Sequence, residues 1–138
     1  MAAHPHPVPR KTAALDSPAA SAAALRTFFS IAGAWELSAA EEQRLLGVQR
    51  STVYAWRSGD FPARLDADTL ERLSYVFGIY SALQVLLPLP ERADAWIRKP
   101  NTAPLFGGES ALARMLGGKV ADLFEVRHYL DAVRGGVS

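Results

Sequence analysis

The sequence predicts an all-α protein in two modules, a helix-turn-helix followed by a small helical domain, and three observations carry that expectation. Helix N-cap signals recur, as Ser17-Pro18, Ser38 with Glu41, and Asp66 or Asp68 with Glu71. Apolar residues then follow at helical spacing, and each run ends on glycine or proline, at Gly33, Gly47, Pro88 and Gly117-Gly118. The expected boundaries are a tail over residues 1–16, a first module over 17–82 and a second over 83–138.

Residues 1–16 contain His-Pro-His-Pro-Val-Pro and then Arg-Lys, which cannot form a regular element and read as a disordered tail. His4 and His6 lie there, but two ligands on such a tail leave most of a metal's coordination shell to water, so a solvated tail is the expectation. Ser17 caps a helix that begins with Pro18, carries Leu25, Phe28, Phe29 and Ala32, and is expected to stop at Gly33. Trp35 and Leu37 are expected to close the underside of the next unit.

That unit occupies residues 37–59, LSAAEEQRLLGVQRSTVYAWRSG. Ser38 and Glu41 have the spacing of a capping box, so a helix starts there and runs to Gly47, which is free to adopt the left-handed turn. A second helix follows from about Gln49 to Arg57. At about 100° per residue, Val53 and Trp56 face one way, while Arg50, Tyr54 and Arg57 share the opposite stripe with Ser51 beside it. An anchored rod that offers guanidinium, hydroxyl and amide groups is what a major-groove reader requires, which makes Gln49, Arg50, Ser51, Tyr54 and Arg57 the candidate DNA contacts. The bland alternative is an αα-hairpin with a solvated arginine face. Gln43, four residues before the corner glycine, occupies a place that usually holds a small residue, so a wider helix crossing is expected.

After Asp60-Phe61-Pro62 a support helix is expected, with Leu70, Leu73 and Phe77 on one side, Glu71 boxed with Asp68, and a kink or an end at Gly78. An apolar helix continues from there to the proline pair Pro88 and Pro90, and a short helix reaches Trp96 and Ile97 before Lys99-Pro100-Asn101 breaks it. The loop NTAPLFGG over residues 101–108 carries Leu105 and Phe106, which either tuck under it as a satellite core or face a partner. Ala111, Leu112, Met115 and Leu116 make one more turn before the last helix.

In that last helix Val120, Leu123, Phe124, Val126, Tyr129, Leu130 and Val133 cover more than half the circumference, whereas a surface helix needs only about 100°. The surplus predicts a second neighbour outside the domain. Arg127 and Asp131 stand at the spacing of an ion pair, to be read either as a surface salt bridge or as part of an interface.

Composition narrows the function classes. With 49% hydrophobic residues among 138 there is enough apolar surface for a core. Fifteen Lys plus Arg against fourteen Asp plus Glu leave a net charge of +1, so a basic footprint for nucleic acid must be local; Arg44, Arg50, Arg57 and Arg64 supply one. No cysteine is present, hence no thiol nucleophile or disulfide, and no cofactor motif is seen. His128 is the one histidine in an expected element, and a lone imidazole assembles no catalytic constellation, so the chain is not expected to be an enzyme. The longest apolar run, residues 76–87, is too short to span a bilayer, and a cytoplasmic protein is expected.

The stretches LLGVQRSTVYAWRSG, LERLSYVFGIYSAL, AWIRKPNTAPLFGGESALARML and DLFEVRHYLDAVRGG, in that order, resemble the Xre/MbcA/ParS family of bacterial antitoxins over about residues 22–136. The resemblance implies an Xre-like module that binds the operator DNA of its own promoter and a toxin-binding domain from about residue 83. It implies a partner of the RES fold, from a family that consumes NAD or uses it for ADP-ribosyl transfer, whose pocket is closed by the antitoxin's C-terminal end. Carried onto this chain, the toxin contacts are Arg134, Gly135, Gly136, Val137 and Ser138, and the interface reading of the last helix adds Arg127 and Asp131. A homodimer on a two-fold site is expected, because one module reads few base pairs. The alternative is a stand-alone repressor whose second module serves dimerisation or sensing.

Overall fold

The computed structural model describes residues 17–135, so the tail with His4 and His6, and Gly136, Val137 and Ser138, lie outside the described residues. Among the described residues seven α-helices follow one another: α1 (Pro18–Ala34), α2 (Ala39–Leu46), α3 (Arg50–Arg57), α4 (Ala67–Leu86), α5 (Pro90–Ala95), α6 (Ala111–Met115) and α7 (Val120–Gly135). A 3₁₀ turn, Trp96–Arg98, extends α5, and no strand is found among the described residues, only an isolated bridge between Pro100 and Ser110. The all-α expectation holds.

The local signals work as their chemistry requires. The Ser17 hydroxyl accepts the Ala20 N–H at 3.1 Å, and Pro18 takes the first turn, where its missing N–H costs nothing. Both bonds of the Ser38–Glu41 capping box form, at 2.9 and 3.1 Å, and Gly47 turns the corner with φ of 69°. Asp66 caps α4 by accepting the Thr69 N–H at 2.8 Å.

Three details differ from expectation. Gly33 does not end α1; the helix runs on to Ala34, and the left-handed turn falls on Glu36, with φ of 56°. Interior glycine costs a helix only about 1 kcal/mol, and buried Ile31, Ala32 and Trp35 hold the last turn in place. Glu71 does not box with Asp68: its carboxylate accepts the Tyr75 hydroxyl at 2.9 Å, while Asp68 pairs with Arg72 at 2.8 Å. Gly78 does not end α4, which continues through it as a single helix of 20 residues.

The long α4 is the spine of the fold. Its buried Leu73, Val76, Ile79, Ala82 and Leu83 form a stripe, and α7 lays Leu123, Val126 and Leu130 in the same core, in the most extensive helix pairing of the molecule. Each such side chain fully withdrawn from water contributes about 1.5–3 kcal/mol before the entropy of ordering is subtracted. The 101–108 loop folds onto itself through Asn101 N–H to Glu109 carbonyl and Gly108 N–H to Asn101 carbonyl, at 3.0 and 2.8 Å. Phe106 thereby points inward, edge-on to Trp96 and Tyr129 with centroids 6.0 and 5.1 Å away, so it belongs to the core itself, not to a satellite of it, and is not offered to a partner.

Arginines fasten the two modules together. Arg44 of α2 donates to the carbonyls of Leu116 and Gly117, and Arg72 of α4 donates to those of Arg44 and Gly118. Arg98 reaches back to the carbonyls of Trp35 and Glu36 and to the Glu41 carboxylate of the capping box. Trp35 is buried as expected, its ring meets Tyr80 of α4 at 6.1 Å within the first module, and its carbonyl is where Arg98 of the second module is fastened.

Candidate functional site

The geometry of α3 follows from one buried residue. Val53 is fully buried and Trp56 half-buried against the core, which turns Gln49, Arg50, Ser51 and Tyr54 to the surface; Tyr54 is 51% exposed although it is a large aromatic. Every one of these residue types can donate or accept a hydrogen bond at a base edge. Gln49 is the helix N-cap but makes no side-chain capping bond, so its amide is not spent on the backbone.

The two arginines of α3 are both held by α2, by neighbouring residues. Gln43 Oε1 accepts Arg50 Nε–H at 3.1 Å. Glu42, buried, forms an ion pair with Arg57, whose guanidinium also lies 5.9 Å from the ring centroids of Phe29 and Tyr54. Arg57 therefore sits on the expected stripe, at the surface, with its charge shared by a carboxylate of the fold. Of the four arginines that make up the local basic footprint, Arg44 is likewise engaged, on the carbonyls of Leu116 and Gly117. Sequence reading identified the face and missed both acceptors. The signal for Gln43 was its misfit at a small-residue position: the long side chain passes out of the crossing and ends on Arg50.

At the opposite end, α7 has more apolar surface than its neighbours cover. Leu123, Val126 and Leu130 are buried, Val120 and Tyr129 half-buried, and Phe124 and Val133 remain 47% and 43% exposed. Phe124 stacks on His128, which is exposed, and meets Tyr75 edge-on. Val133 borders a groove of about 260 Å³ lined with Leu83, Leu86, Leu87, Trp96, Tyr129 and Leu130. Of the expected contacts there, Arg127 and Asp131 form their ion pair at 3.0 Å, but Arg127 is turned toward α4, where it donates to the Ser74 carbonyl at 3.3 Å. Asp131, Arg134 and Gly135 are exposed along the final turn.

An all-α chain with a helix-turn-helix whose second helix faces solvent in front, and a partly uncovered helical pair behind, has the form of a DNA-binding regulator joined to a protein-capture domain. Residues 14–78 match the family model described as the antitoxin Xre-like helix-turn-helix domain, and residues 82–136 match the antitoxin Xre/MbcA/ParS C-terminal toxin-binding domain. The chain belongs to the Xre/MbcA/ParS antitoxin family. A protein of Sinorhizobium fredii (strain NBRC 101917 / NGR234) named "Uncharacterized protein y4oB" is 50% identical over 115 residues, which cover 83% of this chain and 86% of that protein. The protein is thus an antitoxin built from a helix-turn-helix and a toxin-binding domain, and neither is an enzymatic domain. No helix among the described residues is long and apolar enough to cross a membrane.

Proposed function

We propose that this antitoxin acts in the cytoplasm, captures a RES-fold toxin that consumes NAD or transfers ADP-ribose, closes the toxin's pocket with its own C-terminal end, and represses its operon as a homodimer bound to promoter DNA. The observation that carries the protein-capture half is the incomplete covering of α7: Phe124 and Val133 stay exposed on a helix whose other large apolar residues are buried or half-buried, and Val133 lies next to Arg134 and Gly135. Exposed apolar groups rimmed by an arginine have the make-up of interface anchors. The RES identity of the partner follows from the family resemblance. Gly136, Val137 and Ser138 continue the same end of the chain and complete the proposed toxin contacts, with Arg134 as the cation opposite a dinucleotide phosphate. On the DNA side, Gln49, Arg50, Ser51, Tyr54 and Arg57 are the proposed base and backbone contacts, with Arg57 at the far end of the face.

The test is co-expression with the protein of the adjacent reading frame, which the reading expects to be of RES type. Full-length chain rescues growth and co-purifies, whereas a chain lacking residues 134–138 loses rescue and retains promoter binding. Failure to form any complex with that neighbour, or full rescue by the truncated chain, overturns the reading.

A further inference from the structure

The two acceptors on α2 are adjacent in sequence, and each takes one arginine of the reading helix by a different part of the guanidinium. Arg50 gives its Nε–H to Gln43 Oε1, at 3.1 Å. Arginine has five N–H donors in one plane, arranged so that it can grip a pair of acceptors either side-on, with Nε and one Nη, or end-on, with Nη1 and Nη2. The Gln43 bond occupies Nε and with it the side-on edge. Only the end-on fork is left for an outside ligand.

We infer that Gln43 is a positioning residue for sequence recognition, which fixes Arg50 end-on and so makes it select guanine. The inference rests on the reading of α3 as a groove helix and goes beyond it by naming the base and the residue that imposes it. Guanine presents two acceptors, N7 and O6, side by side in the major groove; adenine pairs its acceptor with a donor, thymine offers one acceptor beside a methyl group, and cytosine offers a donor. A free arginine side chain samples many rotamers and can reach phosphates as well as bases. Tethered through Nε, it loses that freedom before DNA arrives, so less ordering entropy opposes binding and off-target contacts are disfavoured.

The glutamine reaches Arg50 because it stands where the helix crossing would otherwise hold a small side chain. It is half-buried, its backbone carbonyl accepts the Gly47 N–H at 2.9 Å within the corner, and its amide emerges beside the first turn of α3. Arg57 has no such role, because Glu42 neutralises it; the same helix thus keeps one arginine as a clamp and presents the other as a reader.

The test is selection of bound duplexes from a randomised library by the full-length chain, for wild type, Arg50→Ala, Gln43→Met and Gln43→Glu, with thermal midpoints measured in parallel. Wild type is expected to enrich a guanine at one position by about tenfold or more, and Arg50→Ala to lose that enrichment. Gln43→Met keeps the stem and removes the acceptor: guanine enrichment at that position falls to about threefold or less, the other positions and the salt slope stay as they were, and the midpoint changes little. Gln43→Glu keeps an acceptor and keeps the guanine. Guanine enrichment unchanged in Gln43→Met, or a base other than guanine at the Arg50-dependent position, overturns the inference and leaves α3 in the groove. If wild type enriches no sequence, the groove reading falls, and this inference with it.

Discussion

The guanidinium of Arg127, on α7, occupies the space where a side chain at Gly78 of α4 would begin: a Cβ added there would collide with its Nη1, Cζ and Nε. Arg127 is held in this seat by the Ser74 carbonyl and by Asp131. Gly78 is thus tolerated in mid-helix because its missing side chain leaves room for Arg127 where α4 and α7 pack. Two terms of similar size decide the effect of Gly78→Ala. Alanine gains about 1 kcal/mol of helix propensity, and displacing a flexible arginine tip loses about 1 kcal/mol of hydrogen bonding. The single variant is expected to lie within about 1 kcal/mol of wild type in urea unfolding. In an Arg127→Ala background the same substitution is expected to stabilise by about 1 kcal/mol, because nothing opposes the propensity gain. Equal effects in both backgrounds would contradict the seat.

Arg57 faces the same solvent as Arg50 but belongs to the fold. Its removal leaves the Glu42 carboxylate, only 6% exposed, without its cation. A fully buried pair loses about 3–5 kcal/mol on such a deletion, and since Arg57 is itself 43% exposed the expected loss is smaller, about 1–3 kcal/mol. Arg57→Ala should therefore unfold several degrees below wild type, and adding Glu42→Gln should recover part of the loss. A full recovery is not expected, since the cation–π contacts with Phe29 and Tyr54 stay lost. An unchanged midpoint in Arg57→Ala would show that the pair does not matter for stability.

Asp66 connects acid stability to the start of α4. The Thr69 backbone N–H holds its carboxyl below the usual aspartate range. With the folded pKa depressed, the cap contributes its stability above the unfolded-state pKa, and that contribution is lost as pH falls through the folded value. Asp66→Ala is expected to cost about 1 kcal/mol at neutral pH. Asp66→Asn keeps the cap and should flatten the acid limb of the stability curve while changing neutral stability little. Thermal melts between neutral and acid pH separate the two.

Much of this fold was legible because its signals are local. A serine three residues before a glutamate, a glycine at a corner and a proline in a first turn act through bonds within one turn of chain, so Ser38, Gly47 and Pro18 could be placed from spacing alone. Val53 was legible for a related reason, since on a short helix only one side can be buried. What stayed hidden depends on residues far apart in sequence. Glycines read as helix breakers at 33 and 78 were carried through by packing worth more than the glycine penalty. The acceptors Glu42 and Gln43 were invisible as such, because only the crossing of α2 and α3 brings them to Arg57 and Arg50. Likewise Arg44 was read as part of the basic footprint and Arg72 and Arg98 gave no signal in the sequence, yet the structure spends all three on backbone carbonyls between modules. At the toxin-binding end, the excess of apolar residues on α7 was readable from periodicity, but not which of them would remain uncovered.

The most direct measurement of the central claim is a quantitative footprint of the protein on its own promoter, for wild type and for Arg50→Ala, at two salt concentrations. The account predicts a protected two-fold site for wild type and an affinity for that site lowered by about 1–3 kcal/mol in Arg50→Ala, with little loss on unrelated DNA. A promoter without any protected site, or equal footprints from the two proteins, would contradict it.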